Sequence, residues 1–156
     1  MATATQRRVQ ANIVVGNGNT YTVKNLAATV ELAASASATV IDFGYIPSNA
    51  RILGCSRIYK DDLATSGSPT IDIGFVAVNS NITSDDDAVN DGISLSAAAA
   101  DVALVKDPAN IGLPAWDFVN GQTTDPGGSF LVRGTVRDAA TTATGTVTLD
   151  LYYVVD

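Results

Sequence analysis

The stretch TVTLDLYYVVD, residues 146–156, carries the clearest structural signal in the chain. Its apolar residues recur at every second position, which is the period of a strand with one face against a core. The apolar set is Val147, Leu149, Leu151, Tyr153 and Val155, the opposite set is Thr146, Thr148, Asp150 and Tyr152, and only Val154 breaks the alternation. The pattern therefore predicts a half-buried β-strand.

A second predicted strand lies just before this one, in DPGGSFLVRGTVR, residues 125–137. Its Pro-Gly-Gly turn leads into an apolar and β-branched run, and a soft Ala/Thr/Gly connection follows at residues 138–145. We expect the two strands to pair as a β-hairpin.

Composition favours an all-β protein. Val, Ile and Thr together number 44, whereas Glu and Lys number four, so residues that suit pleated surfaces dominate over the usual helix formers. The 23 alanines lie mostly in Ala/Ser/Thr/Gly clusters without a helical period. At 156 residues the chain suits one domain. We predict an N-terminal arm over residues 1–10 and a single domain over 11–156.

Further strands are indicated by period-two runs bounded by turn residues. They are predicted at 12–15 and 20–23, as a hairpin around Asn17-Gly18, and at 27–32, 39–46, 51–59, 70–78 and 101–106. The run 51–59 is apolar on both faces, which indicates a central position or contact with a partner subunit. The set predicts an antiparallel β-sandwich of the jelly-roll type with one or two short helical turns; a small barrel is the alternative.

The acidic segment in the middle of the chain has two interpretations. Ser84 before three aspartates is typical of a helix start, and Gly92 is typical of a helix end. Alternatively, Asp85, Asp87 and Asp91 form a calcium loop, although the spacing lacks the glycine and glutamate of an EF-hand.

The sole tryptophan lies in a proline-containing segment, residues 107–121. We expect a short helical turn there that buries Leu113, Trp116 and Phe118. The alternative is that Trp116 is a stacking platform for a sugar, with Asp117 and Asn120 as its polar partners.

The chain is poor in catalytic side chains. It has no His, one Glu and one Cys, so most groups for proton transfer, nucleophilic attack or zinc binding are missing. We therefore predict no enzymatic activity, no cofactor and no metal, while a metal-dependent enzyme using the residue 85–91 carboxylates is a third functional class. Cys55 lies in an apolar run and is expected to be a small buried residue, or else a reactive thiol.

The formal charge of −7 disfavours nonspecific binding to nucleic acid and to anionic membranes. There is neither a signal-peptide pattern nor an 18-residue apolar run, so we expect a soluble cytoplasmic product whose partner is another protein. Within residues 1–10, Arg7 and Arg8 form the only adjacent basic pair. This arm is either a disordered terminus or a segment that orders against an acidic neighbouring subunit.

Several motifs resemble those of small virion proteins of tailed bacteriophages. They are IDFGYIP at 41–47 with ARIL at 50–53, IDIGF at 71–75, the Trp116 turn, DPGG at 125–128 and YYVVD at 152–156. The resemblance covers residues 38–156. It implies a capsid decoration, or cement, protein that sits as a trimer on the outside of the shell, bound to the major capsid protein and assembled in the host cytoplasm.

Six residues are the candidates for protein contacts. The basic pair, Arg7 and Arg8, is expected to clamp a neighbouring capsid protein. Arg57 and Tyr59 lie on the two-sided run and are expected at a trimer contact, and Tyr152 and Val154 point away from the apolar face of the last strand. A receptor- or glycan-binding module of a phage head or tail fibre is the alternative function.

Overall fold

The computed structural model describes residues 7–9, 12–14, 22–63, 67–78, 83–97, 99–137 and 143–155. Strands dominate these ranges, with one 3₁₀ turn and one short helix. The strands are β1 (Arg7–Val9), β2 (Asn12–Val14), β3 (Thr22–Ser35), β4 (Val40–Pro47), β5 (Ala50–Ile52), β6 (Arg57–Lys60), β7 (Thr70–Ala77), β8 (Asp85–Ser94), β9 (Ala99–Ala103), β10 (Ser129–Arg137) and β11 (Ala143–Val155). The 3₁₀ turn is Pro108–Asn110 and the helix, α1, is Ala115–Phe118.

The strands form two antiparallel sheets. The seven-stranded sheet has the order β1-β3-β11-β6-β9, with β2 also on β3 and β5 also on β11, and the four-stranded sheet has the order β4-β10-β7-β8. Their inner faces share one core, in which Phe75 stacks on Phe130 at 5.1 Å between ring centroids. The predicted all-β antiparallel sandwich is confirmed. Its jelly-roll connectivity stays a prediction.

The alternation predicted for the last strand is confirmed in β11. Val147, Leu149, Leu151 and Tyr153 are buried, and Val155 is half-buried. The strand pairs with β3 on one side and with β5 and β6 on the other. β11 is therefore a central strand that is half-buried as predicted.

The predicted terminal hairpin is wrong. β10 lies in the four-stranded sheet between β4 and β7, whereas β11 lies in the seven-stranded sheet. In β10 even the outward-facing Leu131 and Thr135 are buried, because neighbouring strands flank it on both sides. The amide of Val136 donates to the carbonyl of Thr39 at 2.9 Å, and its carbonyl accepts the amide of Ala38 at 2.8 Å, which holds the end of β10 at the start of β4.

The predicted strand 51–59 is two strands, β5 and β6, separated by a turn. The amide of Ser56 donates to the carbonyl of Leu53 at 3.0 Å and closes the turn. Cys55 lies in the turn and is exposed, so its predicted burial is wrong. The break was not predicted because residues 54–56, Gly-Cys-Ser, fit the alternation of apolar and polar positions on either side of them.

The predicted helix at residues 84–92 is also wrong, because Asp85–Ser94 is strand β8. The Ser84 hydroxyl accepts a hydrogen bond from the amide of Ala77 at 2.9 Å, across the sheet, instead of capping a helix. Two register shifts relative to β7 accommodate the extra residues of β8. Gly92, expected to end a helix, has a φ of +82° within this irregular strand.

The helical turn predicted around Trp116 is confirmed as α1. Phe118 is buried edge-to-face against Phe75, with 6.2 Å between ring centroids, and Trp116 is half-buried against the core. Leu113 is half-buried as well. β2 (Asn12–Val14) pairs antiparallel with the start of β3, residues 22–24, as the predicted first hairpin requires. The Asn17-Gly18 turn of that hairpin lies outside the described residues.

Candidate interaction surface

The outward side of the seven-stranded sheet presents the polar half of the β11 alternation. Residues directly opposite one another in antiparallel strands share a face, so the register defines the members of this surface. We call it the Thr/Tyr face; its members are Ala27, Thr29, Glu31, Arg57, Tyr59, Thr146, Thr148, Asp150 and Tyr152.

Cross-strand hydrogen bonds connect the side chains of this face. The hydroxyls of Thr29 and Thr148 lie 2.9 Å apart, and the hydroxyl of Thr146 donates to the Glu31 carboxylate at 2.7 Å. The amide of the buried Asn25 donates to the carboxylate of Asp150. These contacts fix short polar side chains across two strands, so the face needs little further ordering on binding.

Asp150 organises the aromatic end of the face. Burial raises the pKa of the Tyr152 phenol, and a hydrogen bond to Asp150 and the negative charge of that carboxylate raise it further. Tyr152 therefore remains a neutral donor to Asp150 across the physiological range. Arg57 lies directly opposite Asp150 in the register of β6 and β11.

The turn between β5 and β6 is held against this end. The Ser56 hydroxyl accepts a hydrogen bond from the amide of Tyr152 at 2.9 Å and donates to its carbonyl at 3.2 Å. The Arg57 guanidinium donates to the carbonyl of Gly54 at 2.6 Å and so lies back over the turn. Ser56 thus ties the turn to the backbone of Tyr152, and Arg57 at the start of β6 folds back over the turn.

Four of the six predicted contact residues have described side chains, and three of these lie together. Arg57, Tyr59 and Tyr152 share the Thr/Tyr face around Asp150, and Tyr59 is 36% exposed. Val154 lies further along β11 opposite Arg51 of β5 and is half-buried. It marks the end of the same side of the strand.

The two arginines of the predicted arm are placed by the backbone register of β1. Arg7 pairs with Thr29 and Arg8 pairs with Ala28 of β3. A row across four strands therefore runs from Arg7 through Thr29 and Thr148 to Tyr59. Sequence reasoning did not single out Asp150 or the threonine pair, because their importance depends on partners more than a hundred residues away.

The outward side of the four-stranded sheet carries ion pairs between arginines and aspartates. Arg133 contacts Asp42 at 2.7 Å, and Arg137 contacts Asp72 at 2.8 Å as well as Asp86. The buried Asp72 also accepts the amide of Gly92 at 2.9 Å. These carboxylates are engaged within the sheet.

The acidic segment forms a compact cluster in which Asp85, Asp86 and Asp87 bring ligand atoms within 4.8 Å of one another. Asp85 accepts the amide of Asn120 at 2.8 Å. A hydrogen bond with Asp85, burial and the neighbouring carboxylates raise the pKa of Asp87 to about 6. Asp91, the third member of the predicted calcium loop, instead contacts Lys106 at 3.3 Å, so the predicted 85/87/91 set is not assembled.

The chain is therefore a two-sheet antiparallel β-sandwich whose seven-stranded sheet has a polar outer face with few charges. No helix in the described ranges is long and apolar enough to cross a membrane. The chain is similar in fold to a solved chain described as "Cyanophage Pam1 capsid asymmetric unit", with 22% identity and a TM-score of 0.52 over 92% of each chain. No family model matches the chain, and no curated protein does.

Proposed function

We propose that this chain is a non-enzymatic structural protein of a bacteriophage virion that binds the outer surface of the capsid as a trimeric decoration protein. The observation that carries the proposal is the similarity to a chain of a cyanophage capsid asymmetric unit. The alignment covers 92% of both chains, so the similarity extends over nearly all of this sandwich and the two chains have about the same length.

The proposed mechanism is the addition of binding energy over many identical sites. A standard-sized interface covers about 800 Å² on each partner, roughly a tenth of the 7700 Å² surface of this chain. Trimers around a local symmetry axis multiply each contact, so moderate individual affinities raise the cost of separating capsid subunits.

The Thr/Tyr face is the proposed contact surface between subunits. Tyr59 and Tyr152 offer rigid amphipathic area, which is typical of residues that dominate interface energies. Arg57 and Val154 extend the contact along β6 and β11. The arm residues Arg7 and Arg8, at the β1 edge, would pair with acidic groups of the major capsid protein.

The first test is the abundance of the protein in purified virions. Decoration requires a copy number comparable with that of the major capsid protein, whereas a fibre module would be present in far fewer copies. The site of assembly follows from the same proposal: the protein is made in the host cytoplasm and ends on the capsid exterior.

The second test is binding to capsids that lack the protein. We expect Tyr59→Ala to weaken trimer formation or capsid binding by about tenfold or more, as for an interface hot spot. Tyr45→Ala is the matched control, because Tyr45 is 50% exposed on the other sheet. A wild-type protein that stays monomeric and does not bind capsids would refute the proposal.

A further inference from the structure

A cleft opens at one edge of the sandwich, where β8 of the four-stranded sheet lies beside β6 and β9 of the other sheet. Its volume is about 470 Å³. The chain contains three lysines, and two of them, Lys60 and Lys106, line this one cleft. Asp91 also lines the cleft, so the lining has two positive charges and one negative charge, and this local excess of positive charge in an acidic protein favours an anion.

Lys60 is the buried member of the pair. It lies on the core-facing side of β6 opposite Val147 and is only 8% exposed. Its amine donates to the carbonyl of Ala97. Burial lowers the pKa of Lys60, and the charge of Asp62 opposes this shift.

The Lys60 ammonium faces the cleft, and the negative charge of Asp62 acts on it. Buried charges in proteins are normally paired as well as hydrogen-bonded. The ion pairs observed among the described residues belong to Lys106, Arg133 and Arg137. Of the three N–H donors of Lys60, the Ala97 carbonyl takes one. An anion in the cleft would supply the pairing.

Lys106 provides a second ammonium at the rim. It donates to the backbone carbonyl of Asp91 at 2.7 Å and to the Asp91 carboxylate at 3.3 Å. Both side chains are more than half exposed, so this ion pair is weak and can be shared with an incoming anion.

The lining favours a carboxylate over a phosphate. Phosphate sites usually present several free backbone N–H groups, but the amide of Gly92 in this lining already donates to Asp72 at 2.9 Å. Ile93, Val102 and Ala97 supply an apolar wall. A single negative charge on a short aliphatic group fits both features.

We propose that the cleft binds a carboxylate carried on a short aliphatic group, with Lys60 as its buried ion-pair partner and Lys106 as a second contact at the rim. The group is either the C-terminal carboxylate of a peptide that ends in an aliphatic residue or a free aliphatic acid. This site is independent of the proposed role on the capsid and of the Thr/Tyr face.

The test is a nuclear magnetic resonance titration of the full chain with ¹³C-labelled lysine, whose three ε-methylene signals report on each lysine separately. The probes are isovalerate, acetyl-Gly-Val with a free carboxylate, the amide of that peptide, and inorganic phosphate. We expect saturable shifts at Lys60 and Lys106, but not at Lys24, with dissociation constants on the order of 1 mM. Saturation by isovalerate alone or by the peptide acid identifies the source of the carboxylate.

Variants make the assignment specific. We expect Lys106→Met to weaken binding by about fivefold and Lys60→Met to abolish it, while Lys24→Met leaves it unchanged. If Lys60→Met does not fold, the fivefold loss in Lys106→Met and the saturable shift of the Lys60 signal in the wild-type protein still test whether the carboxylate binds in this cleft. Equal binding of the peptide amide, stronger binding of phosphate, or equal shifts of all three lysines would overturn the proposal.

Discussion

Replacement of Gly74 by alanine is expected to be one of the most damaging small changes in this protein. A Cβ atom at this position would lie 2.2 Å from the carbonyl oxygen of Asp85, and 2.3 Å and 2.6 Å from the carbonyl carbon and Cα of Asp86. All three are backbone atoms, so no side-chain rotation relieves the overlap. The backbone of β8 must move away from β7.

The expected cost is about 3 kcal/mol, at the upper end of the range for overpacking, because a strand rather than a side chain must shift. For a chain of this length that corresponds to a fall of about 6–12 °C in melting temperature. Chemical and thermal unfolding of purified Gly74→Ala and wild-type protein measure both quantities.

Gly54→Ala is the matched control for this substitution. Its Cβ would meet only the side chain of Ile111, at 3.1 Å, and Ile111 is exposed and able to rotate. We expect a change within about 1 kcal/mol. Wild-type stability of Gly74→Ala would refute the close packing of β8 on β7 and would revive a helix over residues 84–92.

Three further predictions concern charged and hydrogen-bonded groups. The pKa of Asp87 is raised to about 6 in the folded protein, against 3.8 for a free group. The folded state therefore binds the proton more tightly, and the free energy of unfolding rises as the pH falls from about 6 towards 4. Asp87→Asn should raise the free energy of unfolding at pH 7 and remove this pH dependence in urea titrations. Arg137→Met leaves the buried Asp72 without its cation and should cost about 1–3 kcal/mol in urea unfolding. Ser56→Ala removes two hydrogen bonds to the backbone of Tyr152 and should lower the melting temperature through a loss of about 1–2 kcal/mol.

Two of these predictions have a matched control variant, and the third has a contradicting outcome. Arg133→Met breaks only the exposed pair with Asp42 and should cost less than about 1 kcal/mol, so an equal loss for both arginine variants would contradict the role of burial. A wild-type protein whose stability is flat between pH 4 and 7 would contradict the shifted pKa of Asp87. Ser94→Ala, which loses a hydroxyl contact at an exposed position, is the control for Ser56→Ala.

The faces of strands were predictable from the sequence, but their partners were not. The alternation in β11 is legible because one side of that strand meets the core and the other meets solvent. The pairing of β10 with β4 and β7 leaves no comparable local trace, because a period of two records which side is buried and not which strand lies beside it. For this reason the sequence pattern predicts a hairpin of β10 and β11, which are consecutive in sequence but lie in different sheets.

The helix predicted at residues 84–92 failed for a related reason. Ser84 and Gly92 are good helix boundary residues, yet the same residue types serve at strand ends and bulges. The deciding feature is Gly74, ten residues earlier than the segment, whose missing side chain makes room for the backbone of β8. Likewise Tyr152 was identifiable as outward-facing, and Asp150 lies two residues before it on the same face of β11, whereas the approach of Tyr59 depends on the register of β6 against β11.

The positions of β10 and β11 determine when each sheet can form during synthesis of the chain. Among the described strands these two come last in sequence order, and each occupies the middle of a different sheet: β10 between β4 and β7, β11 between β3 and β6. During synthesis the four-stranded sheet cannot close until β10 has left the ribosome, and the seven-stranded sheet cannot close until β11 has left it. Pairing between strands distant in sequence makes folding slow and leaves unpaired, aggregation-prone strand edges exposed until it is complete. We therefore expect that truncation within β11 yields insoluble protein rather than a smaller sandwich.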